Sequence, residues 1–436
     1  MKIVLVIDQF DNLNNGTTAT ARRFAGALRA RGHTVTILAS GMAEKDKISV
    51  EEMRIPIFQP LIEKQGFCFA RPNDEAYFQA FRGADIIHFY LPTPFCRRGE
   101  EIARQMKIPT VSSFHLQPET ITYTFGVGKS KYANAALYRY LNRSFYNRFR
   151  YIHCPSSMIA GELMRYGYTA HCRVISNGVS EQFRPRDVSR PLSFQNKYVV
   201  LVVGRLSAEK RQDVVIKAVR SSKYANRIQL VFAGRGPKEK KYKKLGKGLP
   251  NTPLLEFYPQ EELIQLFNAC DLYVHASDAE IEGIACMEAT ACGAVPVISD
   301  SDLSATKSFA LHPNSLFRAG DAQSLAEKLD YWIENPQEKA EMSWLYVQRA
   351  EQMRVSRCAE EMEALYKDVI ADYWSNGYKQ PEESRFRRIT HPDPAQTIIA
   401  YSKTTPVKRI LFSALTNFLA LILYIINTIF FGFNWI

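Results

Sequence analysis

Apolar residues come in short bursts along this chain, separated by amphipathic stretches. Lys2-Ile3-Val4-Leu5-Val6-Ile7 has strand length. The polar loop 8–16 then leads into residues 19–31, where Phe24, Ala27 and Leu28 recur at helical spacing. Gly32 stops that helix, and 34–39 is a second apolar run. Strand, helix, strand in this order is the crossover that parallel strands need. Runs at 84–90, 109–114 and 174–179, and a helix capped by Ser156, continue the alternation. Residues 183–197 are polar, carry Pro185 and Pro191, and read as a linker. The pattern restarts at Tyr198-Val199-Val200-Leu201-Val202-Val203. Further strands are predicted at 230–234, 254–258, 272–276 and 294–299. Helices are predicted at 261–269, from about Gly283, and at 322–334, 337–354 and 356–374. The expected class is α/β, with two halves alike in plan.

The tail breaks the pattern. Residues 410–436 contain no charged side chain, and that length exceeds the roughly 20 residues a helix needs to cross a bilayer. Arg385, Arg387, Arg388, Lys403, Lys408 and Arg409 lie upstream. Basic flanks stay cytoplasmic, so the expectation is a membrane helix with the body of the protein on the cytoplasmic side. Trp435 then falls at the far interface. A helix buried in a soluble core is the alternative. Asn417, Asn427, Gly432 and Asn434 also admit an interfacial or re-entrant segment.

With 436 residues, 46% of them hydrophobic, the chain can build two or three domains. The net charge of +12 favours anionic partners: nucleic acid, phosphorylated small molecules or an acidic membrane. Residues 129–150 interleave Lys131, Arg139, Arg143, Arg148 and Arg150 with Tyr132, Tyr138, Tyr140, Phe145, Tyr146 and Phe149. Such a helix can lie on an anionic bilayer, or it can turn its aromatics into the core. No nucleic-acid motif accompanies it, so nucleic acid is not expected. The eight cysteines are scattered without a CxxC pair, which argues against zinc, and no secretory signal opens the chain.

The densest chemistry lies at 278–299. Glu280 and Glu288 bracket seven residues where a strand ends and a helix begins, the position at which open α/β sheets bind ligands. A helix opening near Gly283 aims free N–H groups outward and suits a phosphate. Arg205 and Lys210 follow the strand 198–203 and Gly204, and place two cations where a departing diphosphate needs neutralising. A solvated charge run is the bland alternative. Asn15-Gly16 puts a flexible turn at another strand end, as a ligand approach or a simple connection. His115, just past a strand, fits either a hydroxyl or phosphate contact or a core histidine.

Together these residues resemble the retaining group 1 glycosyltransferases, a family of GT-B fold with two Rossmann-like domains facing across a cleft. Nearly all of 1–375 fits. The landmarks are Asn15-Gly16, Gly32-His33, His115, Asn177-Gly178-Val179, Gly204-Arg205-Leu206 with Glu209-Lys210, Glu280 with Glu288, Cys292-Gly293, and Tyr366. The resemblance implies an acceptor domain at 1–190, a donor domain at 191–355, and a helix at 356–375 returning to the first domain. A basic linker at 376–409 and the membrane helix at 410–436 follow. It implies that Arg205 and Lys210 hold the donor diphosphate and that Glu288 holds the ribose hydroxyls. Glu280, with the backbone of Gly283, Ile284, Ala285 and Cys286, should face the sugar and phosphates. His115 should lie beside the transferred sugar, and Gly16 and Gly204 should line the donor site.

Two departures stand out. Asn15-Gly16 replaces a glycine pair, and in Glu280-Ile281-Glu282-Gly283 the extra acid Glu282 competes for the sugar-facing role; spacing favours Glu280. Asp300-Ser301-Asp302 resembles a metal motif of the other main glycosyltransferase fold, but it follows the donor loop and reads as a turn, so neither metal nor cofactor is expected. The 115–119 segment, the basic helix and the tail are similar to features of bacterial enzymes that glycosylate membrane lipids, notably diacylglycerol glucosyltransferases. The implied reaction is retaining transfer of a hexose, UDP-glucose being the first donor and GDP-mannose the second, to a lipid acceptor. Transfer to a polyprenyl-linked sugar is the runner-up, and a catalytically silent sugar-nucleotide binder is the reading from another class.

Overall fold

The computed structural model describes residues 1–12, 15–55, 59–64 and 66–379. The first lobe is a seven-stranded parallel sheet. Its strands lie in the order Lys47–Val50, Thr34–Ser40, Lys2–Gln9, Ile86–Phe89, Thr110–Ser113, Tyr151–Cys154 and His171–Val174. The second lobe is a six-stranded parallel sheet. Its order is Leu254–Glu256, Ile228–Ala233, Tyr198–Val203, Leu272–His275, Pro296–Ser299 and Leu316–Phe317. Central strands such as Lys2–Gln9 are buried on both faces, which is why they read as unbroken apolar runs. Each sheet reverses its strand order beside its first strand. That reversal opens a crevice at the carboxyl ends of the strands.

The last helix, Val355–Asn376, belongs to the first lobe's core: Met362, Leu365, Tyr366 and Val369 pack with Ile3, Leu5, Phe24 and Val111. The chain therefore crosses between lobes twice, and the two crossings lie side by side. Val179 N–H donates to Met353 O at 2.9 Å, and Val355 N–H returns to Val179 O at 3.0 Å. Arg354 donates to the carbonyls of Ser180 and Phe183 at 3.1 and 2.7 Å. Gly178 sits at φ +73°, and a Cβ there would lie 2.7 Å from Val355 Cα, so the close crossing requires glycine.

Two expectations change. The strand expected at 174–179 is His171–Val174 instead. It is an exposed edge strand, so polar residues form it, and the apolar Ile175 marks where the chain leaves the sheet for the core. The basic-aromatic segment folds as helix Lys131–Ser144 and a following turn, with Tyr138, Tyr140, Phe145, Tyr146 and Phe149 all in the first lobe's core. Five of its six aromatics are therefore core residues rather than a membrane face, and Tyr132 alone of the six is exposed. Arg148 pairs with Glu100 and Arg150 with Asp372, both at 2.9 Å. Only Lys131, Tyr132, Arg139 and Arg143 of that group are exposed. Among the described residues no helix is long and apolar enough to cross a membrane. The membrane helix expected at 410–436, and the linker from 380 on, lie outside the described residues.

Candidate active site

The strand Tyr198–Val203 ends at Gly204, and the loop beyond it folds on itself. Gly204 N–H donates to Ala233 O at 3.0 Å, and Leu206 N–H to Arg235 O at 2.9 Å. Arg205 Nη2 donates to Glu209 Oε1 at 2.8 Å, while Ser207 Oγ donates to the same oxygen at 2.5 Å. Burial would raise the Glu209 pKa, but Arg205 and Ser207 outweigh it and hold the carboxyl below its usual range. Lys210 crosses to the neighbouring strand end and forms an ion pair with Glu280. His275 Nε2 lies 3.3 Å from the same Glu280 oxygen, and His275 Nδ1 is 2.9 Å from Tyr273 OH. Against the upward push of burial, the Lys210 charge and His275 hold Glu280 well below the ordinary carboxylate range.

Glu280 lies in the two-residue strand Ala279–Glu280, paired with Leu303–Ser304. Gly283, at φ +97°, turns the chain into helix Ile284–Ala291, and a Cβ there would sit 2.0 Å from Thr306 Cγ2. The helix ladder begins with Cys286 and Met287 donating to Gly283 O, so the N–H groups of Ile284 and Ala285 precede it and point out of the helix end. Glu288 lies a full turn further in. It is buried and pairs with Arg23 of the first lobe at 2.5 Å. Burial raises its pKa, and Arg23 opposes that.

The first lobe reaches this loop at four more points. Gln117 Nε2 donates to Leu303 O at 2.9 Å, Tyr123 OH to Asp278 Oδ2 at 2.9 Å, and Ser156 Oγ to Ile281 O at 2.6 Å. Asn177 N–H donates to Glu282 Oε2 at 3.0 Å. Glu282 is thus engaged by the segment joining the lobes, while Glu280 stays with Lys210. His115, two residues before Gln117, stacks on Tyr90 with ring centroids 5.4 Å apart, and its Nε2 is buried without a partner. Burial holds its pKa well below the usual histidine value, so the ring is neutral. Gly16 opens helix Gly16–Ala30, capped by Asn15, and a Cβ on it would meet nothing within 4 Å. Asp300 accepts from Ala319 N–H at 2.8 Å and Asp302 pairs with Lys307 at 2.5 Å, the partners of a turn.

Sequence reasoning passed over Arg23 and Tyr123, and gave no role to Gln117 or Asp278 although both lie in marked segments, 115–119 and 278–299. No local pattern marks them, because their importance comes from the partner across the cleft. A cavity of about 550 Å³ also opens beside the ends of strands Ile228–Ala233 and Leu254–Glu256, lined by Arg235, Glu239, Lys243, Leu255, Glu256 and Phe257.

Comparison with known proteins bears on this arrangement. A model described as Glycosyltransferase Family 4 matches residues 14–183, and one described as Glycosyl transferases group 1 matches residues 183–344. The alpha-monoglucosyldiacylglycerol synthase of Streptococcus pneumoniae is 26% identical over 318 residues, 69% of this chain and 71% of that protein. A GDP-mannose-dependent alpha-mannosyltransferase of Corynebacterium glutamicum is 28% identical over 311 residues, 68% and 72% of the two chains. Anabaena HepE, solved in complex with UDP and glucose, shares the fold with a TM-score of 0.65 at 19% identity, covering 84% of this chain and 100% of that one. The boundary between the two matched models falls at the linker between the two sheets, and this chain belongs to the group 1 glycosyltransferases of GT-B fold, with a family 4 N-terminal domain.

Proposed function

We propose that the protein is a retaining hexosyltransferase that moves glucose from UDP-glucose to a membrane lipid such as diacylglycerol. The observation that carries the donor half is the Lys210–Glu280 pair at the end of the second sheet, with Arg205 on the same loop and the Ile284 and Ala285 N–H groups at the helix end. Cations and free N–H groups at one strand end suit a diphosphate. In the proposed reaction the bond from the sugar C1 to the β-phosphate oxygen breaks. The acceptor hydroxyl oxygen forms a new bond to C1 on the same face, and its proton passes to the leaving phosphate. Arg205 and Lys210 stabilise negative charge that grows only as the first bond breaks, which is where an interaction accelerates the step. Glu288 accepts from the ribose hydroxyls, and the cavity at Arg235 and Phe257 takes the base. Neutral His115 offers its unpartnered Nε2 to a sugar hydroxyl.

The lipid half draws on the relatives, one of which is named for a glucosyldiacylglycerol product. It also draws on the charge-free stretch 410–436 behind its basic flank, and on the exposed Lys131, Arg139 and Arg143 of the first lobe. These support a protein held at an anionic membrane with its catalytic lobes on the cytoplasmic side. GDP-mannose is the second donor, favoured by the mannosyltransferase relative. The test is full-length protein in vesicles containing diacylglycerol, given labelled UDP-glucose or GDP-mannose, with the product's anomeric configuration read by NMR. Labelled α-glycolipid supports the reading. Label only on an added polyprenyl phosphate, or nucleotide binding without transfer, would overturn it.

A further inference from the structure

We propose that Arg23, on the first helix of the acceptor lobe, is a positioning residue for donor binding: it holds Glu288 of the opposite lobe in the orientation that grips the nucleotide ribose. The inference rests on the donor-site reading above and extends it to a residue that contacts no substrate. Arg23 Nη2 donates to Glu288 Oε1 at 2.5 Å, and Arg23 Nη1 donates to Gly178 O at 3.0 Å. The two side chains keep only 17% and 8% of their surface. A guanidinium is a rigid planar fork, so bonds from two of its nitrogens fix both its position and that of its partner. One prong is set in the segment that joins the lobes. The other aims the carboxylate. The charge matters as much as the geometry. Burial raises the Glu288 pKa and Arg23 limits that rise, and a protonated carboxyl gives up acceptor capacity that a ribose diol needs. Arg23 sits on a different lobe from Glu288, so the carboxylate is oriented only when the lobes are together. Donor affinity and lobe closure are thereby joined through one ion pair. Lysine has a single nitrogen and cannot bridge Gly178 O and Glu288 with the same geometry.

The test uses the full-length protein and variants Arg23→Lys and Arg23→Gln, with calorimetric binding of UDP and of 2′-deoxy-UDP. In the wild type, loss of the 2′-hydroxyl should weaken binding by about 10-fold, the scale of a charge-assisted hydrogen bond. In both Arg23 variants UDP itself should bind about 10-fold more weakly, and removal of the 2′-hydroxyl should then change affinity by less than about 2-fold. In turnover the loss should fall on donor KM rather than on kcat. Arg23→Lys keeps the positive charge and guards against a folding failure in Arg23→Gln. Variants that bind UDP as the wild type does, or that still discriminate against 2′-deoxy-UDP as strongly, would overturn the proposal. A wild type that binds UDP but ignores the 2′-hydroxyl would overturn the role given to Glu288. A wild type that binds neither UDP nor GDP would overturn the donor site itself.

Discussion

Glu280 and Glu282 stand two positions apart and are tied to different parts of the molecule. Glu280 pairs with Lys210 inside the second lobe, whereas Glu282 accepts the Asn177 backbone N–H from the segment that joins the lobes. The sequence offers both acids for the sugar-facing role, and spacing favours Glu280. The structure gives them separate partners, and the variants should separate accordingly. Glu280→Gln should lower kcat by about 100-fold, the usual scale for a charged group at the reacting centre. Glu282→Gln should change kcat by less than about 5-fold, because its partner is structural. Initial rates with labelled donor decide it, and equal losses in the two variants would count against the assignment.

Arg205 and Lys210 reach the site by different routes. Arg205 is held by Glu209, four residues on in its own loop, and Lys210 by Glu280 from the adjacent strand end. Each carboxylate fixes the direction of its cation, and a diphosphate would compete for both. Either alanine variant alone should lose about 100-fold to 1,000-fold in kcat. The double variant Arg205→Ala with Lys210→Ala should show no turnover above background. Near-normal turnover in the double variant would remove the cationic pair from the mechanism.

Glu282 also carries a pH signature. Burial pushes its pKa up to about 7, against an ordinary value near 4.5. Between those values the folded state holds a proton that the unfolded state has released, so rising pH weakens folding across that window. The wild-type curve alone does not isolate this group. Asp8 and Glu119 are raised to about 7 as well, and His153, lowered to about 4, works in the opposite sense below pH 6.5. The difference between wild type and Glu282→Gln does isolate it. The stability of wild type relative to the variant should be greatest near pH 5 and fall as pH rises through about 7. Urea midpoints for both proteins at pH 5, 6, 7 and 8 measure it, and a difference that is flat or rises with pH contradicts it.

The parts of this fold that were legible in the sequence are those whose cause is local. Parallel strands buried on both faces, such as Lys2–Gln9 and Tyr198–Val203, announce themselves as apolar runs, and helix Ile284–Ala291 is marked by Gly283 and by small residues. The grouping of Arg205, Lys210 and Glu280 was legible because each follows a strand end. The edge strand His171–Val174 was not, since exposure removes the apolar signal. The basic-aromatic segment misled for a related reason: sequence shows that cations and rings alternate but not which side is covered. The cross-cleft partners Arg23, Tyr123 and Gln117 are invisible in principle, because each meets a group more than 150 residues away.

Two glycines should answer differently to the same substitution. Gly234 sits at φ +152°, and a Cβ on it would lie 2.2 Å from the carbonyl oxygen of Gly204. Backbone cannot swing aside as a side chain can, so Gly234→Ala should cost about 3 kcal/mol or more, or abolish soluble expression. Gly16 has open space where its Cβ would be, and alanine is a better helix former. Gly16→Ala should therefore keep stability within about 1 kcal/mol of wild type, and any loss of turnover it shows reports crowding of the ligand rather than of the fold. Soluble yield, urea midpoint and rate on the same preparations give the comparison. Equal stability of the two variants would contradict the packing described.

A buried chain of hydrogen bonds ties the last helix to the first sheet, and its direction is fixed from one end. Ile175 O can only accept, so His153 Nε2 carries a hydrogen and donates to it at 2.8 Å. The neutral His153 ring must then accept at Nδ1, from Ser113 Oγ at 2.8 Å. Ser113 in turn accepts from His88 Nε2 at 2.6 Å, and His88 Nδ1 accepts from Tyr366 OH at 2.7 Å. Burial keeps both imidazoles neutral, pushing His153 down to about 4 and His88 well below its usual value. The contribution of the chain is complete above the unfolded histidine value of about 6.5 and is lost as pH falls below it. Tyr366→Phe removes one hydroxyl, leaves the ring in place, and strands His88 Nδ1 without a donor. That should cost about 1 to 3 kcal/mol at pH 7.5. Ser113→Ala breaks two of the bonds, and the double variant should cost less than the sum of the singles, because the second loss falls on a chain already interrupted. Denaturant midpoints for the four proteins close the cycle. A Tyr366→Phe variant as stable as wild type, or strict additivity, would mean the groups do not act as one network.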